Sequence, residues 1–133
     1  MIQGFEEETQ PLTQYEEEVL LPVILKGLQK KVGKEQAVTN RTIAMKMTVA
    51  GYEKLCGARV RKVINYIRTK DLLPGLIATS TGYYIATNAE ELKEYEESLL
   101  GREMAIKEVR LAIARQRRII YEGTQEKEQG KVF

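Results

Sequence analysis

The sequence predicts an α+β protein, mainly α with one small β-hairpin. Three observations carry that expectation. Apolar residues recur at three- and four-residue spacing around positions 19–28, 60–67 and 92–120, the period of amphipathic helices. Two β-favourable runs, Leu76-Ile77-Ala78-Thr79 and Tyr83-Tyr84-Ile85-Ala86, are separated only by Ser80-Thr81-Gly82, a short glycine-containing turn of the kind that joins hairpin strands. The chain has 133 residues, 43% of them hydrophobic and 7% aromatic. That is enough for one compact core with a projecting arm and too little for a multi-domain enzyme.

Residues 1–11 mix acidic and polar side chains with Gly4 and Pro11 and show no period, as expected of a flexible acidic arm. Thr13 and Glu16 have the spacing of a capping box, in which each side chain satisfies the other's orphan amide at a helix start. The first helix therefore begins there, continues through Val19, Leu20, Val23, Ile24 and Leu28, and stops at Gly33. Pro22 lacks an amide proton and collides with the preceding turn, so this helix either kinks or restarts. Ala37-Val38-Thr39 is a short β-compatible segment, and Thr39 or Asn40 caps a second helix through Arg41, Ile43, Ala44 and Met47. β-branched Thr48 and Val49, followed by Gly51, end it. A third helix, 57–70, opens near Cys56-Gly57 and places Val60, Val63, Ile64 and Ile67 at i, i+3, i+4 and i+7. Leu73-Pro74-Gly75 closes it, since the residue before a proline leaves helical geometry. Two strands alone are marginal in water, so the hairpin must pack on the helices. Adjacent strand residues face opposite sides, which sends one of Tyr83 and Tyr84 into the core and the other to solvent. Asn88 and Glu91 form a second capping box, from which the chain stays helix-compatible to about Tyr121.

Helix, short strand, helix, helix and then a two-stranded ribbon is the order of a winged helix-turn-helix, here with an N-terminal helix and a long C-terminal helix. Removing the apolar stripe of the third helix leaves Arg59, Arg61, Lys62, Asn65, Tyr66, Arg68 and Thr69 toward solvent. Arg reads guanine edges and Asn adenine edges in the major groove, while further cations hold phosphates. Residues early on such a recognition helix reach bases first, which makes Arg59, Lys62 and Asn65 the base-reading candidates. Arg41, Lys46, Arg61, Tyr66 and Arg68 are then the phosphate candidates. Thr79, Ser80 and Thr81 form the wing tip, where small hydroxyls suit phosphate contact and a solvated turn equally. An ordinary amphipathic helix with a cationic face, and Asn65 bonded to nearby backbone, are the structural alternatives.

Val60-Arg61-Lys62-Val63-Ile64-Asn65-Tyr66-Ile67-Arg68, then Ile77-Ala78-Thr79-Ser80-Thr81-Gly82-Tyr83-Tyr84-Ile85-Ala86, then Glu90-Glu91-Leu92 leading to Tyr95, resemble small winged-helix proteins encoded by bacteriophages and prophages. The resemblance spans roughly residues 39–106. It implies a DNA-binding fold and says little of the biological step, because such proteins are mostly uncharacterised and are assigned DNA binding from the fold. The helix containing Pro22 and the basic end of the last helix fall outside it.

The formal charge of +2 conceals opposed blocks. Residues 1–20 carry −6, residues 21–70 carry +10, residues 71–101 carry −5 and residues 102–122 carry +3. A block of +10 in fifty residues suits a phosphate-bearing partner. The absence of His removes the commonest general base and metal ligand; no catalytic set, metal site, cofactor or Gly-rich phosphate loop is expected, and the chain is not read as an enzyme. The lone Cys56, between Leu55 and Gly57, is expected to be a buried structural thiol in a reducing cytoplasm. No apolar run long enough to span a membrane occurs, and Glu6-Glu7-Glu8 does not resemble a targeting segment. A cytoplasmic, unprocessed protein is the expectation.

The last helix, 91–122, keeps a near-heptad stripe of Leu92, Tyr95, Leu99, Ile106, Val109, Ile113 and Ile120, with Arg102 and Gln116 as polar interruptions. At 1.5 Å per residue it reaches roughly 50 Å, more than a domain this small covers. A homodimer through this helix is expected, because winged-helix proteins commonly bind paired half-sites; packing of its first half on the first helix, with a frayed basic end, is the alternative. Residues 12–90 form the winged domain and 123–133 a flexible tail. Double-stranded DNA is the expected partner, and the competing function is a protein-interaction module that uses the same fold to hold an acidic protein.

Overall fold

A computed structural model describes residues 10–53 and 55–122; most of the N-terminal arm and the C-terminal tail lie outside the described residues. The chain divides into two units, 1–92 and 93–133. The architecture is mainly helical with one two-stranded antiparallel sheet. No described helix is long and apolar enough to cross a membrane.

The capping box forms as its spacing predicts. The Glu16 amide donates to Thr13 Oγ1 at 3.1 Å, and the Thr13 amide donates to Glu16 Oε1 at 2.8 Å. The turn that follows, Glu16–Leu20, is π-helical, and helix α1 runs Leu21–Leu28 with Pro22 in its first turn. A wide turn spares the proline ring its clash with the carbonyl four residues back, so Pro22 restarts the helix and does not end it. Gly33 is not the stop: α1 ends at Leu28, and Gly33, at φ 91°, donates its amide to the Ile85 carbonyl.

Helix α2 spans Asn40–Val49, with Thr39 as its cap accepting from the Thr42 amide at 3.1 Å. It runs through Thr48 and Val49, because the Thr48 hydroxyl donates back to the Ala44 carbonyl at 2.8 Å and stays within the helix. Helix α3 spans Gly57–Thr69. It ends well before Pro74: Asp71 adopts the left-handed conformation at φ 57°, and the Leu72 amide donates to the Ile67 carbonyl, a helix stop that usually uses glycine. Cys56 is exposed, not buried. It sits in the extended residue before α3, so its thiol points outward while Leu55 enters the core.

Strands β1 (Leu76–Thr79) and β2 (Gly82–Ile85) pair in register Leu76 to Ile85 through Thr79 to Gly82. The hairpin is not left to side-chain packing alone. Val38 exchanges both backbone hydrogen bonds with Tyr83, and the Ile85 amide donates to the Lys31 carbonyl at 2.7 Å. The segment before α2 is thus a third, single-residue rung on the β2 edge. Both tyrosines are buried, against the alternation expected of a strand with one wet face. Tyr83 joins the main core and bonds Asn40 through its hydroxyl, whereas Ile77 and Tyr84, paired across the strands, are buried outside that cluster.

The core gathers Leu20, Ile24 and Leu28, Met47 of α2, Val60, Val63, Ile64 and Ile67 of α3, and Leu76 and Tyr83 of the hairpin. Each aliphatic side chain removed from water contributes about 1.5–3 kcal/mol. Helix α4 runs unbroken over Ala89–Arg117, followed by a π-turn, Arg118–Glu122, and none of its residues is buried. Its start is capped by Asn88, which accepts from the Glu91 amide at 2.9 Å, while the Glu91 carboxylate reaches Thr87 and not Asn88.

Candidate nucleic-acid interface

Glu16 decides how α3 presents itself. The residue stands four positions before Leu20 and eight before Ile24, on the same buried row, and is only 1% exposed. Its Oε1 accepts from Lys62 Nζ at 2.7 Å and its Oε2 from Arg59 Nε at 2.7 Å. Arg59 also lies 3.6 Å from the Glu53 carboxylate and sits over the Tyr15 ring at 5.5 Å, and the Tyr15 hydroxyl accepts from the Glu53 amide at 2.9 Å. The start of the first helix and the loop before α3 are thereby clamped to the N-terminal half of α3.

Sequence reasoning places Arg59 and Lys62 toward solvent as base readers. The structure corrects that placement: Lys62 is 3% exposed and Arg59 16%, and both cations are spent on Glu16. Burying an ammonium without a partner is costly, so Lys62 at this depth needs the carboxylate. The helix flank carrying residues 59, 62 and 66 turns toward the first helix. Tyr66, a phosphate candidate, packs partly against the core with the Lys70 ammonium 6.0 Å from its ring centre.

The other flank of α3 stays accessible. Arg61, Asn65 and Arg68 fall at i, i+4 and i+7, with Ala58 and Thr69 beside them. Asn65 is exposed, Arg61 and Arg68 are half-buried, and a long 3.5 Å hydrogen bond links Arg68 to the Asn65 side-chain oxygen. Gly57 leaves room for the Arg61 guanidinium; a Cβ there would stand 3.2 Å from it. Arg41 and Lys46 are exposed on α2. At the hairpin tip the Thr79 and Thr81 hydroxyls bond each other at 2.7 Å, and Ser80 is exposed. A separate apolar groove of about 300 Å³ lies between α1 and α2, floored by Ile24, Leu28, Ile43 and Met47 and flanked by Lys30, Lys31 and Lys46.

The Glu16 carboxyl titrates far from its ordinary range. Burial alone pushes its pKa up, but the bonds from Lys62, the Thr13 amide and Arg59 outweigh that and bring it from 4.5 down to about 2. A folded pKa below the unfolded one makes the contribution complete above about pH 4.5 and progressively lost as the pH falls toward 2. The span corresponds to roughly 3 kcal/mol. Urea melts taken from about pH 5 down to about pH 2 are expected to show this loss in the parent and a flatter profile in Glu16→Gln; parallel profiles rule the site out as the acid-sensitive group.

No protein-family model, curated protein or solved structure matches the chain.

Proposed function

We propose that the chain is a winged helix-turn-helix protein that binds double-stranded DNA with α3 in the major groove, in transcriptional control or replication of a phage or other mobile element. The observation that carries the reading is the accessible face of α3, where Arg61, Asn65 and Arg68 share one side of a helix beside a β-hairpin. The bond from the strand before α2 to β2 supports the winged arrangement, because it ties helix pair and hairpin into one unit. Assignment to a mobile element rests on the resemblance of residues 39–106 to phage-encoded proteins.

In this reading Arg61 and Asn65 take over base recognition, with Arg68, Arg41, Lys46 and Lys70 on phosphates. Arg59 and Lys62 instead hold the helix in place. Fluorescence anisotropy with random-sequence and genomic duplexes at two salt concentrations is the test. Affinity is expected to fall steeply with salt, and Arg61→Ala and Asn65→Ala are each expected to weaken binding roughly ten- to hundredfold with the melting midpoint unchanged. Salt-independent binding, or full affinity in both variants, overturns it. A second reading, a module for an acidic protein, draws on the Lys-flanked apolar groove between α1 and α2.

A further inference from the structure

Among the described residues, helix α4 carries an apolar seam that stays exposed. Leu92, Leu99, Ile106 and Ile113 recur every seven residues, a spacing that Ile120 continues into the π-turn, and Leu99, Ile106, Val109 and Ile113 are between 38% and 69% exposed. A strict seven-residue repeat is the seam of a left-handed coiled coil. With these residues at the first position of each heptad, the fourth positions are Tyr95, Arg102, Val109 and Gln116.

Charge along the helix selects both the occupant and its direction. Residues 89–103 hold six Glu against Lys93 and Arg102, whereas residues 104–118 hold five Lys/Arg against Glu108. Laid parallel, two such helices set acid against acid and base against base. Laid antiparallel, each acidic half meets a basic half. We propose that α4 pairs antiparallel with α4 of a second copy of this chain, about a two-fold axis near residues 106–109.

The register follows from the heptads. Antiparallel coiled coils stack a first-position residue on a fourth-position residue of the other helix, which sets Ile106 on Val109 and Leu99 on Gln116 of the second copy. In that register the fifth positions, which flank the seam, meet as Glu96 with Arg117 and Glu103 with Arg110, opposite in sign at all four crossings of the symmetric pair. The other flank sets Ala105 on Ala112, small side chains that let the helices approach near the two-fold axis. Arg102 falls opposite Ile113, and a polar residue on the seam costs stability while fixing register. The symmetry is closed and self-complementary, as two-fold interfaces require.

The experiment uses the full chain. Sedimentation equilibrium at tens of micromolar is expected to give twice 15.2 kDa; a mass that stays at 15.2 kDa overturns the proposal. Direction is read from disulfide trapping on a Cys56→Ser background. Leu99→Cys and Gln116→Cys chains are expected to cross-link to each other when mixed and not to themselves, since in this register each residue lies far from its own copy. Self-cross-linking of either variant shows parallel pairing and overturns the antiparallel arrangement. Reversing the flank with Glu96→Arg and Glu103→Arg is expected to weaken association at least tenfold, and adding Arg110→Glu and Arg117→Glu to restore it. Unchanged association across that series shows that the flank charges do not set the pairing.

Discussion

Glu16→Ala is expected to cost 3–5 kcal/mol of folding stability, because it strands the Lys62 ammonium at 3% exposure and releases Arg59 from its short bond. For a chain this small that is a large share of a total of about 5–15 kcal/mol. Glu16→Gln is expected to do nearly as much harm: it keeps the size and one acceptor but meets two cations without a charge. The informative companion is Glu16→Leu with Lys62→Met, which removes both buried charges and fills the space with apolar atoms. Buried ion pairs are often matched by well-packed apolar replacements, so the double variant is expected to recover most of the loss, leaving Arg59 with Glu53 at the edge. Urea denaturation of the four proteins checks it. A Glu16→Ala chain within about 1 kcal/mol of the parent means the triad does not hold α3.

Gly82→Val is the second substitution expected to act strongly, with a loss of about 3 kcal/mol or more. Gly82 has φ 123°, a conformation side chains rarely adopt, and a Cβ there would stand 2.5 Å from the Val38 carbonyl oxygen and 2.6 Å from its carbon. Both neighbours are backbone and neither can rotate away. Relief requires moving the strand before α2 off β2, which breaks the two Val38 to Tyr83 hydrogen bonds of 2.7 and 3.0 Å. Gly51→Ala separates strain from collision: Gly51 has φ 96° but open space around its Cβ position, so it is expected to lose only about 1–2 kcal/mol. Equal melting midpoints for the two variants would falsify the steric account.

Helices, hairpin and the Thr13–Glu16 capping box were legible because each rests on local chemistry: the 3.6-residue period, hydroxyl and carboxylate at capping distance, glycine at a turn. The α3 stripe of Val60, Val63, Ile64 and Ile67 is wholly buried as its spacing implies. What stayed hidden depends on contacts between distant segments. Charge type alone suggests that Arg59 and Lys62 face water, and the partner that draws them inward lies 43 and 46 residues away. One signal was present: stepping back four residues from Leu20 along the row that holds Ile24 and Leu28 lands on Glu16, a carboxylate on an apolar row that also completes a capping box. A buried acid predicts a buried base. The burial of Tyr84 had no comparable sign, because alternation along a strand says which residues share a face and not whether that face is covered.

The hydrogen bonds that Lys31, Gly33 and Val38 make along β2 also bear on behaviour at high concentration. A strand with free amides and carbonyls is a template on which another chain can grow. Here β2 is occupied on both sides, so the only strand edge left open among the described residues belongs to β1, four residues long. An edge that short offers little purchase for sheet-to-sheet growth, and the fold keeps its ribbon without inviting aggregation through it.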